Sequence, residues 1–115
     1  MPADTRLYLQ FEGKVKDGQF DSFKNWVEKN RDKAVKAGSD FWSPSSDGKI
    51  LIHNEAFSNI ENFKRHMNEW VPTIMDDIGN IADIEKIQAS GPITDEQKLI
   101  LKRNFGVTVE YCENI

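Results

Sequence analysis

A two-layer α+β domain is predicted for this chain, a split βαβ unit in which an antiparallel sheet carries its helices on one face. Three observations predict it. Apolar and polar residues alternate along residues 6–15 and again along 49–57, the period of a strand with one buried face. After each of these runs the apolar residues recur every three to four positions, the period of an amphipathic helix. Gly, Pro, Ser and Asp cluster between the runs rather than within them. The resulting order of strand, helix, two strands, helix and strand is that of ferredoxin-like folds.

The first strand, "RLYLQFEGKV", sets Leu7, Leu9 and Phe11 against Tyr8, Gln10 and Glu12. "KDGQ" ends it, and Phe20, Phe23, Val27 and Ala34 follow at helical spacing with Trp26 beside them, up to a stop at Gly38. Phe41 and Trp42 open an extended segment, a Ser/Pro/Asp/Gly turn follows, and residues 49–57 form the partner strand of a hairpin. Along that strand Ile50, Ile52, Asn54 and Ala56 share one face, and Leu51, His53, Glu55 and Phe57 the other.

Ser58, with Glu61 three residues on, reads as a capping box for a helix carrying Ile60, Phe63, Met67, Trp70 and Val71. Pro72 either kinks this helix or opens a second short one with Ile74, Met75, Ile78 and Ile81, before Gly79 and Asn80 loosen the pattern. "DIEKIQAS" is the next strand, stopped by Gly91 and Pro92. Thr94 with Gln97 caps a short helix through Phe105, and "VTVEY" is a last short strand.

The chain has 115 residues, enough for one hydrophobic core, and no repeat or linker divides it, so residues 1–115 are read as a single domain. A net charge of −4 without a local Lys/Arg cluster argues against nucleic acid as a partner. No apolar run reaches the roughly 18 residues of a membrane span, and Cys112 is the only cysteine, which rules out an intramolecular disulfide and a thiolate-rich zinc site. A cytoplasmic protein is expected. The sheet face away from the helices also needs a cover, and a second copy of the chain across a two-fold axis would supply it.

"ILIHNEAFSNIENFKRHM" resembles the strand-to-helix segment of the antibiotic biosynthesis monooxygenase-like proteins, in which an E-x-[aromatic or apolar] element is followed by an F-x-x-H turn. Glu55, Phe57, Phe63 and His66 occupy those positions. The likeness continues through "IQASGPITDEQKLILKRNFG" and so spans nearly the whole chain. It implies a homodimeric α+β barrel. Because oxygen-activating members use neither metal nor flavin, it also implies a cofactor-independent monooxygenase acting on a small aromatic or quinol. The superfamily includes members without assigned activity, so a non-catalytic ligand-binding or structural dimeric module is the alternative. The Asn, Trp and His constellation of the haem-degrading members is missing, since Trp70 and His66 occur in the opposite order.

The candidate site follows from strand parity. If Ile50 and Ile52 turn toward the helices, His53, Glu55 and Phe57 face the barrel side, where Tyr8 and Gln10 join them around a small aromatic or hydrophobic ligand. His66 or His53 would take a phenolic proton and Glu55 would orient the imidazole. Tyr8 or Trp70 would stack on or hydrogen-bond the substrate ring, and Trp42 would sit at the dimer seam or the cavity rim. No cofactor and no metal is expected, although His53, Glu55 and His66 are the ligand types of a two-His, one-carboxylate iron site. "HNE" matches the H-x-E of zinc deaminases, but P-C-x-x-C is missing. Beside these roles stands a simpler one: a strand carboxylate and a helical His that pair only with each other.

Overall fold

The computed structural model of the protein describes residues 6–112, and for residues 41–45 of these the backbone only. The elements are β1 (Leu7–Val15), α1 (Phe20–Lys36), β2 (Phe41–Ser46), β3 (Ile50–Phe57), α2 (Ile60–Arg65), a π-helical turn (His66–Trp70), α3 (Val71–Gly79), β4 (Ala82–Ser90), α4 (Asp95–Phe105) and β5 (Thr108–Cys112). The sheet order is β2-β3-β1-β4-β5. Its first four strands are antiparallel neighbours, the ferredoxin-like arrangement predicted from element order. The fifth strand departs from an all-antiparallel sheet. It reaches β4 through the α4 crossover and therefore lies parallel to it. No helix among the described residues is long and apolar enough to cross a membrane.

The helices cover one face of the sheet, and the alternation in β1 decides which face. Leu7, Leu9, Phe11 and Val15 are buried, whereas Tyr8, Gln10 and Glu12 on the other side are half-buried. Two core clusters result. One joins Leu7, Leu9 and Phe11 to Phe57, Phe63, Met67 and the inner side of α4. The other joins Val15 and Leu51 to Phe23 and Val27 of α1 and Ile78 of α3. Met75 packs against both clusters, so α3 bridges the seam between them.

β4 contains a phase slip that its sequence spells out. Its inward apolar residues, Ala82, Ile84, Ile87 and Ala89, are spaced two, three and two apart, and period-two alternation permits only even spacings. The structure absorbs the extra residue as a bulge: Glu12 pairs with Lys86 but Gly13 pairs with Ile84. The bulge returns Ile84 to the helical side. It also crowds β1, because a Cβ on Gly13 would lie 2.0 Å from the Asp83 carbonyl oxygen.

The helix ends repeat the same logic. Thr94 and Gln97 form the predicted reciprocal capping box, and Gly106 closes α4 in the left-handed conformation. The cap of α2 differs from expectation. Asn59, one residue beyond Ser58, accepts from the Asn62 amide at 2.8 Å, while the Ser58 hydroxyl turns away to the Asp40 carboxylate. Both side chains suit an N-cap, and Asn59 has the extended backbone the position needs. Pro72 lies in the first turn of α3, where a missing N–H costs least, so the second of the two predicted alternatives holds.

Candidate functional site

Antiparallel pairing with β1 fixes which way β3 faces. Leu7 lies opposite Phe57, Leu9 opposite Glu55, Phe11 opposite His53 and Gly13 opposite Leu51. Directly opposed residues share a face, so His53, Glu55 and Phe57 point at the helices with Leu7, Leu9 and Phe11. This overturns the parity expected from sequence. Ile50 is exposed and Ile52 half-buried on the open side, because the larger apolar payload of β3, Leu51 and Phe57, belongs with the core. Tyr8 and Gln10 remain on the open face and are separated from His53 and Glu55 by the sheet.

On the helical side, two strand residues meet one from the π-turn. Glu55 is buried, with its side chain 5% exposed, and its Oε1 lies 2.7 Å from His53 Nε2. His66, 1% exposed, places its Nε2 3.2 Å from both carboxylate oxygens and is aligned with Oε1. His66 is delivered by local structure. The turn it opens closes with an i to i+5 bond from the Val71 amide to the His66 carbonyl, a geometry that recurs at functional sites. Phe57 packs edge-on against both Phe63 and the His66 ring, at 5.5 and 5.2 Å between centroids. The four residues of the sequence resemblance thus meet in one place.

Burial would raise the Glu55 carboxyl. The charge of His66, the hydrogen bonds from His53 and His66 and the charge of His53 together outweigh it, pulling the group from 4.5 down to about 2. Glu55 is therefore a carboxylate at neutral pH and can only accept. Both rings must then donate through Nε2, which leaves Nδ1 as the proton-accepting atom of each neutral ring. His66 Nδ1 is buried and has no hydrogen-bond partner among the described residues.

The cluster borders a partly open cavity at the seam of the two core clusters, with about 60 Å³ open to the centres of water molecules. Apart from His53, Glu55, His66 and the indole of Trp26 from α1, its walls are apolar: Phe11 and Ile84 from the sheet, Phe23 from α1, Val71, Ile74, Met75 and Ile78 from α3, Phe105 from α4, and Leu51. Among the described residues no group of three His, Cys, Asp or Glu side chains is disposed to hold a metal ion.

The sequence-predicted residues divide accordingly. His53, Glu55 and His66 converge. Phe57 supports the His66 ring from the core and does not line the cavity, and half-buried Trp70 packs on the core outside the cavity. Tyr8 and Gln10 border a second depression on the open face, lined also by Leu9, Asn54, Glu55, Gln88 and Ser90. The Trp42 side chain lies outside the described residues. Sequence reasoning treated Trp26 and Phe23 as core only and did not find Phe105 or Ile84. The odd spacing in β4 was the available signal for Ile84.

Fold and site together describe a ferredoxin-like α+β domain with a polar cluster in a helix–sheet cavity. Among solved structures the chain is similar to MupZ from Pseudomonas fluorescens, with a TM-score of 0.79 and 16% identity over 96% of this chain and 91% of that one. It is also similar to a Chloroflexus aurantiacus protein described as a candidate antibiotic biosynthesis monooxygenase, at TM-score 0.57 and 15% identity over 78% of this chain and 95% of that one. A Bacteroides thetaiotaomicron protein of unknown function, described as a candidate oxidoreductase, matches at TM-score 0.62 and 13% identity over 76% and 97% of the two chains. At such identities the likeness is one of fold. No protein-family model matches the sequence, and no curated protein matches it.

Proposed function

We propose that the cavity binds a small aromatic or quinol and that His66 takes a proton from it, as the first step of a cofactor-independent oxygenation. The observation that carries this reading is the bare, buried Nδ1 of an imidazole whose other nitrogen is held by a carboxylate. Glu55 fixes the tautomer and stabilises the imidazolium that forms, and the apolar walls keep water from the anion. A deprotonated quinol can pass electrons to O₂ and combine with it. Quinol and O₂ then give hydroxyquinone and water, with the substrate supplying every electron. The likeness in fold to proteins described as a candidate monooxygenase and a candidate oxidoreductase supports this choice of reaction.

Oxygen uptake with a panel of quinols and polyphenols tests it. Uptake should fall by roughly a hundredfold or more in His66→Ala and in Glu55→Gln, the scale of a lost positioned base. Equal uptake in all three proteins would refute the assignment.

One observation favours a second reading, ligand binding without turnover. The cluster is closed on itself, since His53 and His66 both spend their Nε2 donors on Glu55. Under that reading the cavity takes up ligand but no quinol drives oxygen consumption.

As part of the same proposal, a second copy of the chain covers the open sheet face. Asn54, Gln10 and Gln88 stand side by side across β3, β1 and β4 and are half-buried in the single chain. Amides both donate and accept, so such a row can pair with its own copy about a two-fold axis. The chain's one cysteine fits placement of this homodimer in the cytoplasm.

A further inference from the structure

We infer that the cavity between α1, α3 and the sheet selects an uncharged, single-ring hydrogen-bond donor and rejects carboxylates and phosphates. This inference rests on the reading of His66 as the group that meets the ligand, and it adds the ligand's charge, size and polarity.

Three observations carry it. First, the polar side chains of the cavity lining are Glu55, two imidazoles and the Trp26 indole, and both imidazoles give their Nε2 to that carboxylate. Two acceptor atoms on lining residues are buried without a hydrogen-bond partner among the described residues, His66 Nδ1 and Glu55 Oε2. An acceptor in an apolar wall is satisfied by an O–H or N–H group on the ligand, and stays unsatisfied against an ether or a hydrocarbon. Second, neither Lys nor Arg lines the cavity, while a buried carboxylate does. An anionic ligand would lose its hydration and place a second negative charge beside Glu55, with no cationic side chain beyond the two imidazoles already engaged by that carboxylate. Third, the space is small. About 60 Å³ for water centres, enlarged by a water's own radius on every side, is room for one aromatic ring beside Phe11, Phe23, Trp26 and Phe105.

Binding to the intact wild-type protein tests this without any need for turnover. Phenol, anisole and benzoate are titrated calorimetrically at neutral pH. Phenol should bind, anisole should bind about tenfold more weakly or worse because it keeps the ring and loses the donor, and benzoate should give no heat of binding. In His66→Phe, which keeps a ring of similar shape, the preference for phenol over anisole should vanish. Should that variant fail to fold, long-range histidine ¹⁵N spectra of the wild type replace it: phenol must then perturb His66 Nδ1 and anisole must not. Equal affinity for phenol and anisole, detectable binding of benzoate, or no binding of phenol at millimolar concentration would overturn the inference. Phenol selectivity with no oxygen uptake from any quinol would leave the inference standing and sink the oxygenation reading alone.

Discussion

At the residue scale, Glu55 links stability to pH. Its folded-state value lies below the ordinary 4.5, at about 2, so the contribution it makes is complete above pH 4.5 and drains away as pH falls toward 2. The span between the two values corresponds to about 3 kcal/mol at most. Urea unfolding of the wild type between pH 6 and 3 should therefore show stability falling with acid, and Glu55→Gln should flatten that slope while lowering stability at pH 7. A wild-type slope unchanged in the variant would mean that the carboxylate is not held by the imidazoles. Phe63 gives a simpler comparison: it is fully buried and edge-on to Phe57, and Phe63→Ala should cost about 3–5 kcal/mol. The residue types of the site were legible in the sequence because acidic, aromatic and helical His positions fall at suggestive intervals. Their side of the sheet was not. Parity groups residues by face but does not say which face is inside, and here that depended on pairing with β1, a contact some forty residues distant in sequence.

At the element scale, the departures from regularity build the cavity. The β4 bulge turns Ile84 inward and requires a glycine opposite, so Gly13→Ala should destabilise the fold by about 2 kcal/mol or more, because the added carbon meets backbone that cannot swing aside. A denaturation midpoint equal to wild type would contradict the tight approach of β1 and β4. The π-turn does the corresponding work among the helices: it sets His66 over Glu55 and begins α3 on a new phase, with Val71, Ile74, Met75 and Ile78 toward the cavity. Strands, the hairpin and the Thr94 capping box could be read from local patterns because each is decided within a few residues. A π-turn leaves almost no local trace, since one extra residue per turn is compatible with the same apolar spacing over so short a run.

At the scale of the whole molecule, the sheet separates two surfaces of different character. The helical side is an apolar layer opened only at the His53, Glu55 and His66 cluster, and the other side is a polar platform centred on Gln10. If a second copy seats on that platform, analytical ultracentrifugation at micromolar concentration should show a dimer. Gln10→Arg, which opposes like charges across the two-fold axis, should yield a folded monomer. A monomeric wild type would remove the dimer and leave the helix–sheet cavity intact, because every residue of its polar cluster comes from one chain. The element order predicted the ferredoxin-like core. The parallel β5 was not foreseen, because its direction depends on how α4 crosses the sheet.

The central claim is that one buried carboxylate holds two imidazoles by their Nε2 atoms and leaves His66 Nδ1 as the proton acceptor of the cavity. Long-range proton–nitrogen NMR of the ¹⁵N-histidine-labelled protein at neutral pH reads this directly. The account predicts a proton on Nε2 of both His53 and His66, with that order lost at His66 in Glu55→Gln; a wild-type His66 protonated on Nδ1 alone would contradict it.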